Sequence, residues 1–269
     1  MKFGFLFTSR SPLNCSANDT FQIAWSSSHI AFTTDSGNIG VVDAGTGSVS
    51  LMKRRHQNIA GSVLFIPNRP REFVSGGYDL CLNHHDRTTC SAIASFDFGS
   101  LPPRETNDPH VSMSPPFILS MAISSSGVLA VGTADGRLWL GFGGEIPKDS
   151  SSINAKTKRR RHWEGLKRKG ASLTLSIASG PVVGVAFEST DVVTAVTLGG
   201  VLSKYRFSKG TDGRRDSTEI WRDTTSSILK VNAISEHSTL GTNWMAVCGV
   251  GSDGGGVVEL RKKLLEHQR

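Results

Sequence analysis

The side chains best placed to do chemistry sit in one basic run. Lys156, Lys158, Arg159, Arg160, Arg161, Lys167, Arg168 and Lys169 face a single acid, Glu164, for a net of +7. That equals the formal charge of the whole 269-residue chain, so the remainder is close to neutral and the pI of 9.4 describes this segment. Mutual repulsion predicts an extended, solvated run. Clustered cations of this kind serve either as a nuclear import signal or as a contact to a phosphate backbone, whose condensed counterions they displace. Otherwise they make a solvated loop. Trp163, in the middle of the run, either stacks on an unpaired base or anchors the loop to the domain. A smaller cluster, Arg261-Lys262-Lys263, reads as the opening of a solvated C-terminal helix, RKKLLEHQR.

Other reactive types are present without a catalytic pattern. His84 and His85 lie between Cys81 and Cys90, but neighbours on a strand point to opposite faces and cannot share one ion. The spacing fits no structural zinc site. The chain has no G-x-S-x-G elbow, no phosphate-binding P-loop and no H-E-x-x-H. The glycine-rich Gly251–Gly256 stretch has no helix after it to hold an anion, so it reads as a turn. These absences predict a protein that is not an enzyme and carries neither metal nor cofactor.

Hydrophobic residues make up 38% of the chain and charged residues 20%, a composition suited to a folded domain and not to a disordered one. No run of eighteen apolar residues occurs, so no membrane span is expected. MKFGFLFTSRS has too short an apolar stretch for a signal peptide and reads as a strand, Phe3 to Phe7. The four cysteines, Cys15, Cys81, Cys90 and Cys248, form no CxxC pair or dense framework. Reduced thiols in cytosol or nucleus are expected, although a Cys81–Cys90 bridge is conceivable; with the basic run, a nuclear or nucleo-cytoplasmic protein is expected.

The elements that must position these residues are short strands. From Phe117 to Gly144 three apolar runs are separated by Ser124–Gly127 and by Ala134-Asp135-Gly136, the residues that accept hairpin turns. The unit recurs. Copies cover residues 21–56, 57–98, 115–144, 173–208 and 229–260, with the basic insertion at 145–172 between the third and fourth and a tail at 261–269. Asp35 and Asp79, in equivalent turns, are 44 residues apart, close to the roughly 40–45 residues of a four-stranded propeller blade. A single all-β domain, a β-propeller of about five recognisable four-stranded blades, is therefore predicted for 1–269.

The pattern resembles the WD-repeat family, chiefly through the second copy. His56 stands where that family has its Gly-His histidine, Ser75 on the second strand, Asp79 in the turn, and Asp86 at the end of the third strand. The family's tryptophan position is His85. The resemblance implies a buried network of hydrogen bonds locking the blade, seven blades in a full ring, and a non-catalytic scaffold that binds proteins through rim and faces. The segments HQNIAGSVLFIPNRPREFVSGGYD and SMAISSSGVLAVGTADGRLWL resemble a branch whose implied role is substrate receptor of a cullin-type RING ubiquitin ligase. Such receptors dock on their adaptor through Trp-Asp-x-Arg. Here Ala44-Gly45 follows Asp43 and Arg87-Thr88 follows Asp86, so the docking arginine is absent from both. Two other readings stand beside it: a nucleic-acid-associated propeller using the basic loop, and a shortened propeller with little activity of its own.

Overall fold

The computed structural model describes residues 20–102, 114–144, 162–166, 172–177, 180–209, 215–239 and 241–264. Phe3 to Phe7 and most of the basic run lie outside them.

Five antiparallel sheets account for every strand among the described residues. The first holds β1 (Thr20–Ser26), β2 (His29–Thr34), β3 (Ile39–Asp43) and β4 (Val49–Leu51). The second holds β5 (Ala60–Ile66), β6 (Arg69–Gly77), β7 (Cys81–Asp86) and β8 (Ser91–Asp97). The third is β9 (Ile118–Ile123), β10 (Leu129–Thr133), β11 (Arg137–Gly141) and β12 (Ser172–Ser176). The fourth is β13 (Val182–Phe187), β14 (Val192–Thr197), β15 (Val201–Lys209) and β16 (Arg215–Thr224). The fifth shows three strands, β17 (Lys230–Thr239), β18 (Thr242–Val250) and β19 (Gly256–Leu264). Each sheet is a meander, and the first strands pack in series, β1 on β5, β5 on β9, β9 on β13 and β13 on β17. Gln22, Gly61, Ser120, Gly184 and Asn232, one from each of these strands, line a single central cavity of about 270 Å³. The described residues form a five-bladed β-propeller.

Alternation along each strand builds the cores between blades. On β6, Phe73 points into the core shared with blade 1, which holds Ala31, Ile39, Val41 and Val63. Its neighbour Val74 points the other way, into the core shared with blade 3 beside Leu82, Phe96, Leu129, Val131 and Trp139. On β10 the same division sends Ala130 toward blade 4 with Leu138, Leu140, Val185 and Val193. Val196, Leu202, Val231, Met245 and Val247 join blades 4 and 5. Every sheet between the ends is therefore buried on both faces.

Two expectations are corrected. Leu173 does not open the fourth blade: Leu173 pairs with Leu140 and Leu175 with Leu138, making β12 the outer strand of blade 3. The basic insertion accordingly lies inside blade 3, between its third and fourth strands, and blade 4 begins at Val182. Arg261-Lys262-Lys263 does not open a helix. It continues β19, where Arg261 pairs with Met245, Lys262 with Trp244 and Lys263 with Asn243, and the ladder to β18 outweighs local helix preference. The turn from β5 to β6 is tight, with Asn68 in the left-handed region (φ 60°) and β6 begun at Arg69.

Candidate functional site

Two constellations of polar side chains are buried around blade 2. The first joins four of the residues singled out in the sequence. His56 Nδ1 lies 2.8 Å from Asp79 Oδ1, and His56 Nε2 lies 2.9 Å from Ser75 Oγ. Ser75 Oγ is also 2.9 Å from His85 Nε2. A carboxylate only accepts, so the His56 Nδ1–H donates to Asp79 and His56 Nε2 is left as an acceptor. The Ser75 hydroxyl then donates to His56 and accepts from His85 Nε2–H. Asn83 Nδ2, 3.5 Å from His56 Nε2, points the same way. Burial, with the Arg54 charge nearby, pushes His85 down to about 3, so it is neutral, and its one N–H at Nε2 is what this order needs. Burial raises the Asp79 carboxyl, but the bond from His56 and the amides of Gln57 and Cys81 outweigh it and hold it below its ordinary value. Asp86 stands apart. Its Oδ1 accepts from the amide and hydroxyl of Thr88, and Asp43 Oδ1 likewise accepts from the amides of Gly45 and Thr46. Both aspartates close their own turns.

The second constellation holds the insertion. Trp163 is 4% exposed and lies in the core between blades 2 and 3. Its Nε1–H donates to the Gly127 carbonyl at 3.0 Å and its amide donates to Glu72 Oε2 at 2.8 Å. The slot is walled by glycine: a Cβ on Gly144 or Gly165 would sit 1.7 Å from the indole. His84, on the face of β7 opposite His85, packs edge-on against Trp163 and donates Nε2–H to Glu72 Oε2 at 2.9 Å. Arg69 adds a bond to Glu72 Oε1 at 2.8 Å. Burial raises the Glu72 carboxyl, yet His84, the Trp163 amide and Arg69 together hold it at about 2. Of the two roles open to Trp163, the geometry selects the anchor. Lys156, Lys158, Arg159, Arg160, Arg161, Lys167, Arg168 and Lys169 fall outside the described residues, on either side of it.

Sequence reasoning missed Glu72, which strand register pairs with Asp86 and sets diagonal to His84 on the same face, with no local motif to mark it. It also missed Lys204, 5% exposed, whose ammonium sits between Glu188 and Glu236, at 3.0 Å from the latter. Cys81, Cys90 and Cys248 are free thiols. No group of three or more metal-ligating side chains occurs among the described residues, and no helix among them is long and apolar enough to cross a membrane.

The end blades carry a further feature. Cross-strand register lines up Ile23, Phe32, Gly40 and Leu51 in one row of blade 1, and Trp25, Ile30, Val42 and Val49 in the next. This is the side that the preceding blade covers in blades 2 to 4, and here Ile23 is 65% and Trp25 61% exposed. On blade 5, Val258 and Leu260 are 64% and 68% exposed.

No protein-family profile matches the chain. Over 123 residues it is 28% identical to a WD repeat-containing protein 53 homolog of Dictyostelium discoideum, covering 41% of this chain and a third (33%) of that protein's length. Among solved structures, a chain of the mitotic checkpoint complex superposes over 91% of this chain and 61% of its own, with a TM-score of 0.59 at 13% identity, a likeness of fold alone. The chain is a β-propeller related distantly to the WD-repeat proteins.

Proposed function

We propose that this propeller is a non-catalytic scaffold for protein–protein interaction. The observation that carries the reading is the uncovered apolar face of blade 1. Contiguous exposed apolar surface is what interaction sites present, and elsewhere in this fold the equivalent face is closed by another sheet. The buried polar groups of blade 2 are bound to one another, which suits a rigid frame. Affinity capture with mass spectrometry tests it, comparing wild type with Ile23→Lys/Trp25→Lys. Partners lost from the double variant support the scaffold; an identical set from both rejects blade 1 as its surface.

Two finer readings are tested in the same experiment. A ubiquitin-ligase substrate receptor predicts recovery of an adaptor and a cullin, weakened by Asp86→Ala. The engagement of Asp43 and Asp86 in their own turns, with Gly45 and Thr88 where an arginine would dock, counts against it. Nuclear import or RNA contact through Lys156–Lys169 is supported by the Trp163 anchor, which ties both basic runs to one point on the propeller. It predicts retention on RNA, or nuclear accumulation, that disappears when Arg159, Arg160 and Arg161 are changed to Ala.

A further inference from the structure

Blade 5 ends on an open edge. The other four sheets each finish on a fourth strand, β4, β8, β12 or β16, whereas among the described residues β19 is the last strand of its sheet. Gly256–Leu264 is nine residues long and pairs with β18 along its whole length. A row of backbone groups that long, with no strand beside it, is a template for another strand.

The hairpin joining β18 to β19 shows which groups these are. The Gly251 amide donates to the Gly255 carbonyl at 2.8 Å, and the Gly254 amide to the Gly251 carbonyl at 3.1 Å. Gly251 and Gly255 are therefore a hydrogen-bonded pair, and the register runs on from them through Val250 with Gly256 and Gly249 with Val257. Bonded and unbonded pairs alternate along an antiparallel ladder. Val257, Glu259, Arg261 and Lys263 thus turn N–H and C=O toward β18, and Val258, Leu260 and Lys262 turn theirs to the edge.

We propose that a second copy of this chain covers the edge, β19 on β19, antiparallel about a two-fold axis at Leu260. Leu260 then exchanges both backbone bonds with its counterpart, and Val258 does so with Lys262 of the second copy. Glu259 meets Arg261 at the unbonded positions between them, where cross-strand side chains are closest. Both are already held on that face, Glu259 by the Ser226 and Ser227 amides and Arg261 by Asp223. The strand's own charges select this register. An axis at Lys262 would set Lys262 on its counterpart and Arg261 on Lys263, like charge on like. An axis at Val258 would pair only Gly256 to Leu260, and parallel pairing in register would stack each of the three cations on its own kind. On the outer face, the Ala246–Leu260 row runs on into Leu260 and Ala246 of the second copy, so Leu260, 68% exposed, gains an apolar neighbour. The pairing consumes the edge in both copies and therefore closes at the dimer. It goes beyond the scaffold reading and shares no residue with the blade 1 face, so Ile23→Lys/Trp25→Lys leaves the dimer intact even where partner capture fails.

The test is sedimentation of the full chain between about 1 and 100 µM, the range suited to an interface of one strand pair. Wild type shows a monomer–dimer equilibrium. Leu260→Lys and Leu260→Glu each set like charges against one another across the axis and weaken dimerisation at least tenfold. Their monomers keep the thermal midpoint of the wild-type monomer, because the side chain is exposed. An equimolar mixture of the two variants restores the dimer, lysine facing glutamate. Hydrogen exchange read residue by residue shows the Val258, Leu260 and Lys262 amides slowing as concentration rises. A monomer throughout the range overturns the inference, as does a dimer that survives both substitutions or that the mixture fails to restore. Protection of those three amides at every concentration also overturns it, because an element of the same chain then covers the edge. A dimer lost only in Ile23→Lys/Trp25→Lys overturns it in favour of blade 1.

Discussion

Trp163→Ala should release the insertion from the propeller without unfolding the propeller. A buried indole removes roughly 150–250 Å² from water, about 4–6 kcal/mol at 25 cal/mol per Å². Leu166, 7% exposed beside it, adds about 2 kcal/mol. The Nε1–H bond to Gly127 contributes about 1 kcal/mol, and the charged amide bond to Glu72 about 2 kcal/mol. Against this, fixing residues 162–166 costs about 1–2 kcal/mol each, or about 5–10 in all. Docking is therefore favourable by only a few kcal/mol. Loss of the indole and its bond, about 5–7 kcal/mol, reverses the sign. Because the segment can leave, the global loss is capped at the docking energy, a few kcal/mol. Unlike an ordinary core tryptophan, it does not simply leave a cavity costing about 3–5 kcal/mol. Hydrogen exchange read on the peptide spanning 162–166 is the direct assay. In wild type its protection should exceed that of Trp163→Ala by at least tenfold, while peptides from β6 and β10 keep theirs. Protection of 162–166 that survives the substitution would refute the anchor.

Glu72 makes the same docking acid-sensitive. Its native value of about 2 lies below the ordinary 4.5, so its contribution, up to about 3 kcal/mol, is complete above pH 4.5 and is lost as pH falls from there through 2. Near-ultraviolet circular dichroism of wild type should change across that window, and Glu72→Gln should flatten it. Gly37→Ala should be among the costliest single changes in blade 1. Gly37 sits at φ +82°, and a Cβ there would lie 2.4 Å from the His56 carbonyl oxygen and 2.7 Å from that of Asn58. A denaturant midpoint lowered by about 3 kcal/mol or more is expected, since both neighbours are backbone. Lys204→Met should cost about 3–5 kcal/mol by stranding Glu236, whose carboxyl burial already pushes up. Adding Glu236→Gln should recover part of that loss in a denaturant titration.

The blades were legible because alternation and turn glycines are local, whereas the identity of a strand's partner is not. LTLS at 173–176 shows the same apolar spacing whether it opens one blade or closes another, and only its pairing with Arg137–Gly141 decides. RKK at the end of the chain carries helix-favouring residues, yet Lys262 lies over the Trp244 ring at 5.3 Å within a ladder whose partner is eighteen residues away. In the site, His56, Ser75, Asp79 and His85 could be named from a resemblance. Glu72 could not, because its role depends on a residue 91 positions later.

His85 shows how blade 2 keeps its lock without a tryptophan. An indole offers a flat apolar ring with one N–H donor. A neutral imidazole protonated at Nε2 offers the same, and His85 uses both parts: it stacks on Phe73 at 4.9 Å and donates to Ser75. The substitution holds only while the ring stays neutral, because a second proton at the buried, unpartnered Nδ1 has no acceptor. With the native value at about 3 and the ordinary one at 6.5, the unfolded chain takes up this proton first. Its contribution is complete above pH 6.5 and is lost as pH falls through 6.5 toward 3, about 2 kcal/mol by pH 5. Denaturant titrations of wild type between pH 7 and 5 should show that slope, and His85→Phe, less stable at pH 7 through the lost donor, should lack it. Parallel slopes in the two proteins would mean that His85 takes up its second proton in the native state as readily as in the unfolded chain, and the neutral ring assigned to it would be wrong.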